Sequence, residues 1–128
     1  MDSKQGRKRP VFLNLLQIRL PVTALVSIMH RASGVVMFLS LPLWLCALRQ
    51  SLASARGFDH VTAYIALPWV KCGFWWLLSA VVYHLIAGIR HLLMDMGVGE
   101  TLRGARCLSW VTLLLTAGFM IALGVRLW

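Results

Sequence analysis

This chain has little negative charge. Of its 128 residues only four are Asp or Glu, against 13 Lys or Arg, and the net charge is +9. Cysteine is scarce too. Cys46, Cys72 and Cys107 are odd in number and show no CxxC spacing, which argues against a disulfide framework or a zinc site and leaves them as small apolar packing residues. There are no internal repeats and no low-complexity segments. The basic N-terminus is not followed by a short apolar core and a small-residue cleavage site, so it does not read as a secretory signal. Only about 20 residues precede the first apolar span, which is short for a mitochondrial transit peptide.

What is abundant is apolar surface. Hydrophobic residues make up 59% of the chain and the mean hydropathy is +0.76, too apolar for a soluble domain of this size. Several runs approach the ~20 apolar residues that cross a bilayer. The basic residues sit mainly at the flanks of these runs, as in a membrane protein sorted by the positive-inside rule, rather than in a nucleic-acid-binding patch.

The expected fold is an all-α membrane protein with three transmembrane helices forming part of a heteromeric bundle. The expected division is an N-terminal segment over 1–21 and a three-helix region over 22–128, with spans at about 22–48, 62–93 and 107–126. Pro21 suits a helix start, and Pro42 predicts a kink inside the first span. Residues 59–71 read as an outward extension of the second helix, with Asp59 as a possible cap and Pro68 as a bend. Gly118 and Ala122 in the third span form a small-xxx-small pair suited to close helix approach.

Counting cations sets the orientation. Lys4, Arg7, Lys8, Arg9 and Arg19 fall on one side with Arg90, Arg103 and Arg106, a total of eight; Arg49, Arg56, Lys71 and Arg126 make four on the other. This places the N-terminus in the cytoplasm and the C-terminus outside.

The second span carries the most informative residue. His84 lies deep in the apolar run CGFWWLLSAVVYHLIAGIRH, residues 72–91. An ionisable group inside a bilayer is costly and therefore a candidate functional site. His84, Gly88 and His91 follow i, i+4, i+7 spacing and share one helix face. Ser27, His30 and Arg31 enter from the first helix on the same cytoplasmic half. A haem fits this pattern: imidazole is an axial ligand for its iron, and Arg31, His30 or His91 suits its propionates. Gly88 leaves room for something flat beside His84. Only one histidine is deep enough to bind the iron, so a second axial ligand is expected from another chain. Each residue also has a plainer reading. An intramembrane histidine can simply bond a neighbouring helix, Arg31 can snorkel, Ser27 can bond its own helix, and Asp95 can cap the second helix or pair with a nearby Arg. The six tryptophans read as belt or packing residues.

Two motifs go further. RPVFLNLLQIRLPVTALVSIMHRASGV, residues 9–35, contains S-x-x-H-R-x-[ST]-G as Ser27, His30, Arg31, Ser33 and Gly34. YHLIAGIRHLLMDMG, residues 83–97, contains H-x-x-x-G-[IL]-R-H as His84, Gly88, Ile89, Arg90 and His91. Together they resemble the large cytochrome b anchor subunit of succinate dehydrogenase, respiratory complex II, in its short proteobacterial form. The resemblance implies that His84 is an axial ligand of haem b, with the other ligand a histidine of the small membrane anchor subunit. It implies that Ser27 and Arg31 line a ubiquinone site, that His30, Arg31 and His91 surround the haem propionates, and that Asp95 belongs to a proton path. It further implies flavoprotein and iron–sulfur subunits docked on the cytoplasmic side of a bacterial inner membrane, and no catalysis by this chain alone. Two other readings stay open: a haem-free quinone-binding anchor of the fumarate reductase kind, and a small transport or proton-conducting subunit that uses His84 and Asp95 as a relay.

Overall fold

The computed structural model describes residues 20–128. The expected N-terminal basic residues Lys4, Arg7, Lys8, Arg9 and Arg19 lie outside the described residues. Four helices follow in order: α1 (Val22–Ala53), α2 (Ala55–Ala66), α3 (Pro68–Asp95) and α4 (Leu102–Leu127). Helices α1, α3 and α4 are long and apolar enough to cross a membrane. The chain is thus an all-helical, multi-pass membrane protein.

The connection between the first two long helices holds a helix of its own. α1 runs through Pro42 to Ala53, and α2 starts at Ala55. The helix breaks at Ser54, which takes an extended backbone and whose Oγ accepts the Gly57 N–H at 3.0 Å. Gly57 is required at this corner, because a Cβ there would strike the Gln50 carbonyl. Asp59 lies inside α2 and caps nothing; Ser54 is the cap. Pro68 does not bend a long second helix. It ends one helix and starts another, because proline pushes Leu67 to an extended conformation (ψ 131°) and its missing N–H costs nothing at the first position of α3.

At the other end, α3 stops before two glycines in the left-handed region, Gly97 (φ +84°) and Gly99 (φ +83°). Thr101 then caps α4 by accepting the Gly104 N–H at 3.1 Å. The reversal is tight enough that a Cβ on Gly104 would lie 2.8 Å from the Gly99 Cα.

Side-chain burial within the chain is slight. Val26, Tyr83 and Ala87 form the buried apolar cluster, with Val22 and Leu113 packed against it. Most large apolar residues of the three long helices face outward, as a membrane chain permits where the surroundings are lipid or another helix. The three cysteines are also exposed, so they are not packing residues within this chain. Gly118 and Ala122 face outward as well, and nothing lies within 4 Å of a Cβ built on Gly118. Helix α4 approaches α3 through Gly124 instead, beside the Trp75 ring.

Candidate functional site

The N-terminal half of α1 and the C-terminal half of α3 are joined by hydrogen bonds between side chains and backbone. The Tyr83 hydroxyl donates to the Val26 carbonyl at 2.7 Å. One turn further along α1, His84 Nδ1 lies 3.1 Å from the His30 carbonyl and 3.0 Å from Ser33 Oγ. A carbonyl only accepts, so Nδ1 carries the hydrogen. The Ser33 hydroxyl spends its own hydrogen on the His30 carbonyl at 2.7 Å, which leaves its oxygen to accept from His84. In a neutral His84, Nε2 then holds a bare lone pair, the state in which imidazole binds a metal.

Three histidine rings gather here. His30 stacks on His84 with centroids 4.2 Å apart and planes inclined by 24°, and His91 tilts against His30 at 5.1 Å. His30 Nε2 is buried and has no hydrogen-bond partner among the described residues. Gly34 sits hard against the cluster: a Cβ there would be 3.0 Å from His84 Cε1. Gly88, expected to make room beside His84, instead faces His30, whose Nε2 would lie 3.6 Å from a Cβ at that position, an ordinary contact.

The other expected site residues are placed but not joined to this cluster. Ser27 is half-buried and lies one turn before exposed Arg31 on the same face of α1. Asp95 is exposed at the last position of α3. Arg90, read from sequence as a flanking cation, is only 4% exposed, and its Nε has no hydrogen-bond partner among the described residues. Spacing explains its burial: Tyr83, Ala87 and Arg90 follow i, i+4, i+7 on the face of α3 that packs inward.

A bare metal ion is a poor fit, since among the described residues no three His, Cys, Asp or Glu side chains converge to hold one. A haem suits the cluster better. Its porphyrin supplies four ligands, so the chain needs to offer one nitrogen. His84, its Nδ1 held by α1, offers Nε2 as that nitrogen, and the orphaned His30 Nε2 is a polar atom in want of a partner beside it.

Comparisons with known proteins show the family. The profile of the succinate dehydrogenase/fumarate reductase transmembrane subunit family matches residues 5–123. This chain belongs to that family. Among its relatives, the succinate dehydrogenase cytochrome b556 subunit of Coxiella burnetii is 38% identical over 122 residues, covering 94% of this chain and 98% of the relative. The subunits of the same name from Paracoccus denitrificans and Rickettsia bellii are 35% and 27% identical, covering 77% and 92% of this chain and 75% and 92% of the respective relatives. The family of succinate dehydrogenase cytochrome b anchors is therefore the frame for the site, and the match spans all three long helices.

Within this family frame, two residues acquire roles that sequence reading did not give them. Ser33 and Gly34 belong to the α1 motif, yet their partner, His84, is 51 and 50 residues away on α3. The available signal was the run of small residues, Ala32, Ser33 and Gly34, after the His30–Arg31 pair.

Proposed function

We propose that this chain is the haem b-containing membrane anchor of a succinate:ubiquinone oxidoreductase. It docks the flavoprotein and iron–sulfur subunits and forms part of the ubiquinone-reduction site, in the tricarboxylic acid cycle and aerobic electron transport. The observation that carries the reading is the state of His84, with Nδ1–H committed to α1 and Nε2 free, in a chain of the cytochrome b anchor family. The relatives' names add support, since they are cytochrome b subunits of succinate dehydrogenase.

On this reading His84 Nε2 and a histidine of the small membrane anchor subunit would hold the haem iron. His30, Arg31 and His91 hold the propionates, where a guanidinium pairs well with carboxylates. Bound haem b supplies a one-electron store close to the quinone. The chain's own part in quinone reduction falls to Ser27 and Arg31. The Ser27 hydroxyl hydrogen-bonds a quinone carbonyl and passes a proton to it. The Arg31 guanidinium offsets negative charge on the ring, an electrostatic contribution. Their position one turn apart on the half-buried to exposed side of α1 leaves both open to a ligand. Asp95, exposed at the cytoplasmic end of α3, is placed to feed a proton path.

The charge distribution supports the orientation. By sequence, Lys4, Arg7, Lys8, Arg9, Arg19, Arg90, Arg103 and Arg106 flank the spans on one side, eight cations, against Arg49, Arg56, Lys71 and Arg126, four, on the other. The N-terminus is then cytoplasmic, the C-terminus periplasmic, and the membrane the bacterial inner membrane.

The test is a split of two activities in the purified complex. Ser27→Ala is expected to lower succinate-driven ubiquinone reduction on the order of 100-fold, the size typical for loss of one directed donor. Succinate oxidation with a soluble acceptor should stay at the wild-type rate. Equal loss of both activities would overturn the assignment.

A further inference from the structure

We infer that Ser33 is a positioning residue for His84. Its hydroxyl fixes which ring nitrogen is free and how the ring is turned, and so sets how strongly His84 donates to haem iron. The inference rests on the reading of His84 as a haem b ligand, and deepens it.

The geometry starts from a chain of two hydrogen bonds that runs in one direction. Ser33 is 7% exposed, and its hydroxyl hydrogen is held by the His30 carbonyl at 2.7 Å. This aims a lone pair of Oγ at His84 Nδ1, 3.0 Å away. The His30 carbonyl accepts from the same nitrogen at 3.1 Å. Nδ1–H therefore faces two acceptors from α1 that lie 2.7 Å apart, and together they hold the tautomer and aim the nitrogen at one spot. Gly34 closes the third side, with no room for a methyl group beyond 3.0 Å from Cε1. His30 lies against the ring face.

Of these contacts, Ser33 is the one that can be changed without touching backbone. The backbone carbonyl remains in every variant, and His30 is itself assigned to the propionates. Ser33 is also unusual among the buried hydroxyls of the chain. Ser79, Ser109, Thr112 and Thr116 each donate to a carbonyl of their own helix and accept from no described side chain, whereas Ser33 uses that same back-bond to present its oxygen to another helix.

The chemical consequence concerns electron density. An imidazole that donates its second N–H to an acceptor becomes a more basic ligand. A more basic ligand favours ferric over ferrous iron and lowers the reduction potential. Loss of the Ser33 oxygen weakens that donation and loosens the ring. The fold should tolerate the change, because Ser33 also lines an open cleft of about 370 Å³ between α1, α3 and α4, shared with Ser79, Tyr83 and Thr116, and removal of one oxygen there breaks no close packing.

The experiment is a redox titration of the haem b band in the purified whole complex, with the low-spin ferric electron paramagnetic resonance signal recorded beside it, for wild type, Ser33→Ala and Ser33→Thr. The expected result is retained haem in Ser33→Ala with a midpoint potential moved in the positive direction and an altered ferric signal, while Ser33→Thr, which keeps the acceptor oxygen, returns both to wild-type values. An unmoved or negative-going potential in Ser33→Ala overturns the inference. If Ser33→Ala does not assemble, Ser33→Cys, close in size but a weak acceptor, carries the same expectation, and an unmoved potential there overturns it equally. A wild-type complex without any b-type signal would remove the reading of His84 and Ser33 with it. A normal wild-type signal with no effect of Ser33 removes the positioning role alone.

Discussion

Two helix seams run through this chain, and both bury polar side chains, but they use them in opposite ways. In the α3–α4 seam, Ser79, Ser109, Thr112 and Thr116 are buried and each hydroxyl donates to the carbonyl four residues back in its own helix. Trp75 adds one cross-link, from Nε1 to the Met120 carbonyl at 2.9 Å. Every one of these groups is satisfied inside the seam. In the α1–α3 seam, Tyr83 is satisfied by Val26, but His30 Nε2 is a buried nitrogen without a partner among the described residues, as is Arg90 Nε on the inward face of α3. The first pattern is what close packing of membrane helices needs, small residues with hydroxyls folded back onto their own backbone. The second leaves buried donors and acceptors unmet, which is costly in a low-dielectric setting and is kept where another group completes it. The difference separates structural polarity from functional polarity within one small protein.

That contrast can be broken at several points. The largest effect is expected at Gly34, where Ala would press a methyl against His84 Cε1 from 3.0 Å. Relief of such overpacking costs about 1–3 kcal/mol, here spent on moving the ligand ring. Gly34→Ala complexes should lose most of their haem, measured as pyridine haemochrome per flavin; full haem content would show that the ring has freedom the structure does not give it. Tyr83→Phe comes next. It removes one interhelical hydrogen bond in the same seam, worth about 0.6 kcal/mol on average and up to about 1.7 in membrane helices, so the complex should melt a few degrees lower with its haem spectrum intact. The smallest effect is expected at Thr112→Val in the other seam. The hydroxyl bonds only its own helix, so melting should change by less than the Tyr83→Phe shift, and the haem spectrum should not change. A haem effect from Thr112 would mean that the two seams are not separate in function.

The sequence alone shows much of the site because helical spacing fixes what shares a face. His84 and His91 are seven residues apart, and the end of one span lies beside the start of its antiparallel neighbour, which brings His30, His84 and His91 to one level. What spacing does not show is which atom faces which across helices. Ser33 and Gly34 touch His84 because α1 and α3 pack at one particular rotation, in which Tyr83 also bonds the Val26 carbonyl. Gly88 was misassigned for the same reason: it shares a face with His84, but the ring opposite it is His30. Arg90 was read as a flanking cation by its position near a helix end, although the i, i+4, i+7 series from Tyr83 places it inward. The break between α2 and α3 was legible in Pro68 but depended on whether the helix bends at proline or ends there. Ser54 and Gly57, which make the other corner of α2, settle it, since a separate short helix already stands between the spans.

On the proposed function, one of the three clustered histidines is a metal ligand and the other two are not. The most direct measurement is the low-spin b-type optical and paramagnetic resonance signal of the purified complex carrying His84→Leu, set beside His30→Leu and His91→Leu. His84→Leu alone should abolish the wild-type low-spin signal, while the other two retain it with at most a shifted potential. A wild-type signal that survives in His84→Leu, or is lost equally in all three variants, would contradict it.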